Sequence, residues 1–411
     1  MPDHLYACKD TTVNFKAQHV PVDAGWPSGK PVWGELVNGS EVATNSYTFS
    51  TLSASTTDYK IVTAECGNTV TGKVLVLKVD LKSIEFTSDH GVMTDYTNNY
   101  AGAGGTVFEP RGWIKGGANN PITHTKDNKI TANVTFCIQP SGVNFDLAGD
   151  GPIEALDFHT NGLVSSGSDQ TIPVTSEEKL PLKIDRLVNQ SITWVFSISN
   201  NPIISEDSGP HWIYVTWGNL GEDPTLLRVA TVCEWAEDKT TEETIADTIW
   251  SNIITYTEFS GGGTNEEWQL LDPNTSGDCD NLAGCMKVAV EMTSITPAYV
   301  EKVHASTNAG TGNCLDQDLR VVSNRTQYLI LDFYTNGVLH DWNAYEGCCK
   351  VAGYYYSFGL PENLKKQNDY EMLKALPCRQ YWIIITNDVA PGAVSNWVQM
   401  IEAVLNEEQK P

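Results

Sequence analysis

With 411 residues, 41% hydrophobic content, 16 Tyr and 12 Trp, the chain holds enough apolar material for two to four packed domains, which excludes wholesale disorder. Its 26 basic and 51 acidic residues give a formal charge of −25. That charge repels phosphate backbones and anionic lipid, so no nucleic-acid partner is expected, and no apolar run reaches the ~20 residues of a membrane span, so no membrane insertion is expected either.

Residues 1–82 read as one small all-β, sandwich-like domain. Apolar and polar residues alternate over Val13–Phe15, Ser46–Phe49, Tyr59–Cys66 and Val70–Val79, with turn clusters between them such as Trp26-Pro-Ser-Gly29 and Asn38-Gly39. Cys8 and Cys66 suggest a bridge between two sheets. The stretch from Pro31 to Leu81 resembles bacterial immunoglobulin-like modules of surface proteins.

Residues 83–236 read as a second β-rich domain, with strands expected over Ile130–Cys137, Ile192–Ile198 and Trp212–Trp217. No cofactor motif occurs. Asp146, Asp150 and Asp157, around a Gly-Asp-Gly, are the candidate calcium ligands; their spacing fits no EF-hand loop, and solvated loop carboxylates are the alternative reading. Leu156-Asp-Phe-His-Thr-Asn-Gly162 and Leu331-Asp-Phe-Tyr-Thr-Asn-Gly337 differ at one position, and a strand entering an Asn-Gly turn accounts for both.

Residues 237–411 read as a third unit, where helical signals begin. Thr240-Thr-Glu-Glu243 has the form of a capping box ahead of Ile245, Ile249 and Ile253. A second helix is expected over Asp280–Met292, with Leu282, Cys285, Met286, Ala289 and Val290 on its apolar side. Strands follow at Gln327–Phe333, Val338–Tyr345, Val351–Phe358 and Tyr381–Ile385, then a helix over Val394–Leu405. Helices followed by antiparallel strands describe an α+β domain.

The ten cysteines stand at 8, 66, 137, 233, 279, 285, 314, 348, 349 and 378, with no C-x-x-C pair and hence no structural zinc signature. An even count in a β-rich chain points to disulfides, Cys348-Cys349 through Cys314 or Cys378 among them. It also points to an extracellular or cell-surface location. The first residues, Met-Pro-Asp-His-Leu-Tyr, have neither the basic nor the apolar region of a signal peptide.

One pair of residues carries chemistry. Gly277-Asp-Cys279-Asp-Asn-Leu-Ala-Gly284 puts Cys279 where a polar loop meets a helix, and the positive end of the helix dipole there lowers a thiol pKa. Asp278 and Asp280 oppose that effect. A thiolate nucleophile needs a base, and Val338-Leu-His340-Asp-Trp342 supplies one on a strand. Strand alternation sets Asp341 on the face opposite His340, a poor place from which to orient the imidazole.

The cysteine box, followed in order by the strand His340-Asp-Trp-Asn-Ala-Tyr-Glu-Gly347, resembles the transglutaminase-like domain of the papain-like superfamily over residues 240–386. The resemblance implies Cys279 as nucleophile on an amide carbonyl and His340 as general base. It also implies an aspartate on the next strand, where Ala352–Ser357 has no carboxylate. Tyr354, Tyr356 and Ser357 are the neutral candidates for orienting the ring, and Trp268 and Gln269 are candidate oxyanion donors.

The function read from this is a secreted or surface cysteine-dependent acyl hydrolase or transferase acting on a protein or peptide substrate. The alternative is a non-catalytic surface, adhesion or structural protein that keeps a degenerate form of the fold.

Overall fold

The computed structural model describes residues 5–16, 32–34, 44–66, 68–87, 90–91, 108–220, 225–256, 258–259, 276–277, 279–305, 331–335, 338–342, 345–357, 365 and 382–386. The chain is predominantly β. The first stretch contains β1 (Leu5–Cys8), β2 (Thr12–Lys16), β3 (Val32–Gly34), β4 (Thr44–Thr48) and β5 (Lys60–Cys66), and leads into the long β6 (Asn68–Phe86). Next come β7 (His90–Gly91), β8 (Gly112–Ile114), β9 (Ile122–Thr125), β10 (Lys129–Gln139), β11 (Asn144–Asp150), a 3-10 turn at Glu154–Leu156, β12 (Phe158–Val164) and β13 (Asp169–Lys179), then β14 (Asp185–Ile198) and β15 (Asn201–Thr216).

The strongest sequence pattern behaves as strand physics requires. In β10, Ile130, Ala132, Val134 and Phe136 are buried while the residues between them are only partly so. β10 lies between β6 and β13, antiparallel to both, and β11, β14 and β15 form a second antiparallel run. A single pair, Phe158 with Ser176, joins β12 to β13 where the sheet folds over. The two layers then meet face to face. The Phe136 ring from one layer lies 5.5 Å from Phe145 and 5.3 Å from Phe196 of the other, both near edge-on.

β6 belongs to more than one neighbourhood. Its first half pairs with β5, and β1 lies parallel beside Val74–Leu77. Its second half pairs with β10 and β8. Val74 and Val76 bury into a small N-terminal core with Ala7, Phe49 and Val62, whereas Leu75 and Leu77 bury into the large sandwich core. Both faces of the strand are covered there, which is why Val74-Leu-Val-Leu77 reads as an unbroken apolar run. The residue 82/83 junction read from the sequence lies inside this strand, at a bulge where the register passes from Leu81 to Ser83.

The remaining elements are α1 (Leu226–Trp235), α2 (Glu242–Tyr256), β16 (Glu258–Phe259), β17 (Ser276–Gly277), α3 (Cys279–Glu291) and β18 (Tyr299–Ala305), then β19 (Leu331–Thr335), β20 (Val338–Trp342), β21 (Tyr345–Val351), β22 (Tyr354–Tyr356) and β23 (Trp382–Thr386). β22, β21, β18 and β23 form an antiparallel sheet in that order. Its residues share a core with the three helices through Val232, Ile249, Met286, Cys349 and Tyr356. Ile184 and Tyr214 of the sandwich enter the same core, and Arg186 on β14 reaches Glu234 and Glu237 beyond it at 2.8 and 3.3 Å.

Several expectations need correction. α1 falls in the stretch that the sequence assigns to a β region: Leu226-Leu-Arg-Val-Ala-Thr-Val-Cys-Glu-Trp235 is short and contains three β-branched residues, so local preference does not announce a helix. The cap of α2 is one residue later than the box suggests, with Thr241 Oγ1 accepting the Thr244 N–H at 3.2 Å. Asn161-Gly162 is not a turn. It lies within β12 at a bulge opposite β11, with Gly162 at φ +67°. Val351–Phe358 is not one strand either, because Ala352 and Gly353, at φ +51° and +81°, turn β21 into β22.

The Cys8–Cys66 bridge does not form: Cys8 is a buried free thiol. Cys8 is opposite Leu77 and Cys66 opposite Asn68 on the same strand, a separation of roughly 30 Å at about 3.3 Å per residue. Disulfide geometry tolerates less than ~7 Å between Cα atoms. Cys137, Cys233, Cys285, Cys348 and Cys349 likewise form no disulfide, and Cys314 and Cys378 lie outside the described residues, as does the 394–405 helix. No helix among the described residues is long and apolar enough to cross a membrane.

Candidate functional site

The short parallel pair β16–β17 brings the chain to the start of α3, and Cys279 is the first residue of that helix. From there the spacing of apolar residues drives the helix inward: Leu282, Ala283, Cys285, Met286, Ala289 and Val290 are all buried. This anchors α3 against α2, β18 and β21.

His340 lies in the middle of β20, opposite Phe333 of β19. Thr335 pairs with Val338, so β19 and β20 are antiparallel neighbours joined through two residues, Asn336 and Gly337, that lie outside the described ones. β20 is followed after two residues by β21, a strand of the sheet on which α3 packs. The side chains of Cys279 and His340, together with Trp268 and Gln269, lie outside the described residues.

The proposed ring-orienting residues of β22 are described, and they turn toward α2. Tyr356 is buried and its hydroxyl donates to Asp247 Oδ1 at 2.9 Å, while its ring lies 6.1 Å from Trp250. Lys365 Nζ sits 2.5 Å from Glu243 Oε1 and 2.7 Å from Asp247 Oδ2, and 4.1 Å from the centre of the Tyr354 ring. Burial, and then the Asp247 charge, push the Tyr356 hydroxyl pKa far up. The hydrogen bond from Lys365 holds Glu243 below the usual carboxylate range. Ser357 is buried at the end of the same strand.

Sequence reasoning misses this cluster of Glu243, Asp247, Tyr354, Tyr356 and Lys365. One signal is present: Glu243 and Asp247 stand four apart on α2, off the Ile245–Ile249–Ile253 stripe, and so share a helix face.

The other described thiols have the character of packing groups. Burial, then Glu206, raises Cys8 to about 11, and burial raises Cys233 to about 12. Cys137 is also raised, chiefly by burial. Thiols of that kind are poor nucleophiles at neutral pH.

Two of the three candidate calcium carboxylates hold backbone. Asp146 Oδ1 accepts the Gly162 N–H and Asp157 Oδ1 the Gly151 N–H, each at 2.9 Å. Among the described residues there is no group of three or more His, Cys, Asp or Glu placed to hold a metal ion.

No family model matches the chain, and no curated protein matches it. Among solved structures it is similar to one chain of the crystal structure of Dpr2 Ig1-Ig2 in complex with DIP-Theta Ig1-Ig3, at 13% identity and a TM-score of 0.16. The match covers 52% of this chain and 61% of the other chain's length. That score is too low to establish a shared fold.

Proposed function

We propose that this chain is a secreted or surface-attached cysteine-dependent acyl hydrolase or transferase acting on peptide or side-chain amides. The reading rests on one observation above the others: α3 begins at Cys279 itself, and the rest of that helix is locked into a buried core. A thiol there meets the unpaired N–H groups and positive dipole of a fixed helix end, which favour a thiolate.

In this scheme His340 takes the proton from Cys279, and the sulfur attacks the amide carbonyl carbon. The tetrahedral oxyanion is held by N–H donors at the helix start, with Trp268 and Gln269 as further candidate donors. His340 then gives its proton to the leaving amine, and a thioester remains. Water releases an acid from it, or a second amine forms a new amide. The substrate is a protein or peptide, and the chemistry needs no metal or cofactor.

A non-catalytic surface or structural role is the second reading, and a specific observation favours it. β22 has no carboxylate, and the Tyr356 hydroxyl gives its hydrogen bond to Asp247. A ring without a fixed partner is less well oriented for proton transfer.

Alkylation by iodoacetamide at pH 7, followed by mass spectrometry, separates the two. Under the first reading Cys279 is labelled well ahead of Cys8, Cys137 and Cys233, and His340→Ala slows it selectively. Labelling of Cys279 no faster than those three, or its recovery in a disulfide, would remove the enzymatic reading.

A further inference from the structure

Where the N-terminal strands meet the sandwich, the chain encloses a cleft of ≈ 440 Å³, inside the ~300–1,000 Å³ range of small-molecule sites. One wall comes from Tyr6 on β1 and from Thr56, Thr57 and Tyr59 in the loop before β5. The opposite wall is the start of β11, with Asn144 and Asp146, and the rim is completed by Gly162 and Ser199. Tyr6 and Tyr59 also pack against the large sandwich core, which holds the aromatic wall in place.

The chemistry of this lining is specific. Among the described residues lining it none is Lys, Arg or His, so its own walls bring no cation to an anionic ligand. The polar groups are neutral hydroxyls, one amide and one carboxylate. Asp146 commits Oδ1 to the Gly162 N–H, and its Oδ2 has no protein partner among the described residues. Tyr6 and Tyr59 add aromatic surface to the lining, with Lys73 Nζ over one face of the Tyr59 ring, 5.6 Å from its centre. Gly162, at φ +67°, presents only backbone, and a Cβ there would meet nothing within 4 Å, so this side of the cleft is open.

We infer that the cleft is a binding site for a neutral saccharide of one or two rings. Its aromatic faces would meet the apolar faces of the sugar, and Asn144, Asp146, Thr56 and Ser199 would hydrogen-bond to its hydroxyls. The site is separate from Cys279 and His340 and does not depend on the acyl-transfer reading.

The test titrates the full chain with neutral disaccharides (maltose, cellobiose, lactose and chitobiose) and with an anionic heparin disaccharide, using calorimetry and saturation-transfer NMR up to about 20 mM, which captures affinities as weak as the millimolar range. Free sugars and the same units on immobilised glycans are run side by side, and the tighter of the two tells a soluble sugar from a surface glycan. Saturable binding of at least one neutral sugar is expected, weakened about tenfold or more by Tyr59→Ala, Asn144→Ala and the rim-filling Thr57→Trp. Tyr59→Ala also removes packing, so the exposed Asn144 and Thr57 variants carry the decision. Binding by no neutral sugar, preference for the anionic one, or affinity unchanged in both exposed variants would overturn the inference.

Discussion

His211 makes the stability of the sandwich depend on pH in a calculable way. It is 1% exposed on β15, its Nε2 lies 2.8 Å from Ser208 Oγ, and the indole N–H of Trp194 donates to that same oxygen at 2.9 Å. Nδ1 has no hydrogen-bond partner among the described residues, and the edge-on Phe86 ring lies 5.4 Å away. Charging the ring would put a second, unanswered N–H into an apolar core, and burial accordingly lowers its pKa from 6.5 to about 4. The folded state therefore resists a proton that the unfolded chain accepts. The stability that neutral His211 contributes is complete above pH 6.5, declines as pH falls, and is gone below about pH 4.

The shift corresponds to about 3 kcal/mol in full, of which about 2 kcal/mol is lost by pH 5. His211→Phe keeps a ring of similar size but cannot titrate. The chain's many carboxylates also respond to acid, so the useful quantity is the difference between parent and variant. Urea unfolding from pH 4 to 7.5, with the His211 ring followed by NMR, should show the parent losing stability to the variant as pH falls. Parallel curves, or a His211 pKa at or above 6.5, would refute the reasoning.

The cluster on α2 is testable by Tyr356→Phe, which removes only the hydroxyl that donates to Asp247. A loss of about 1–2 kcal/mol is expected in urea unfolding, since the lost bond is to a charged but partly exposed acceptor; an unchanged midpoint would mean that the bond contributes nothing. Gly151→Ala would put a Cβ 2.4 Å from Leu156 Cβ and 2.9 Å from its carbonyl oxygen. Leu156 is fully buried and cannot yield, so about 2–3 kcal/mol should be lost. Gly116→Ala, with nothing within 4 Å but φ at +68°, should cost only the conformational penalty of about 1–2 kcal/mol, and a larger loss at Gly116 than at Gly151 would reverse the argument.

What the sequence disclosed was periodic burial. Alternation in β10 and the Ile245–Ile249–Ile253 stripe of α2 follow from side-chain spacing alone, and both elements lie where that spacing put them. The antiparallel pairing of β19 with β20 was legible because the Asn-Gly signal between them is local. The same dipeptide at Asn161-Gly162 became a bulge because β11 and Asp146 continue the ladder past it, and no local signal encodes a partner 16 residues upstream of Gly162. Pairing of β1 with the middle of β6 is likewise non-local, which is why cysteines that looked like partners in sequence lie far apart along one strand. At the candidate site, the helix start at Cys279 and the hairpin strand of His340 were readable. The attachment of Tyr356 to Asp247 was not, since it joins residues that only the folded core brings together.

The shared strand β6 has a mechanical consequence. Each of its halves is bonded to a different set of neighbours, and at Val74–Leu77 its two faces are buried in two different cores. β1 runs parallel to it, so tension drawing the two strands past one another loads their hydrogen bonds together in shear and does not unzip them one at a time. Pulled from its N-terminal side, the chain should resist as a single unit up to a threshold and then yield abruptly. The N-terminal strands and the sandwich would thus behave under load as one girder with two floors attached.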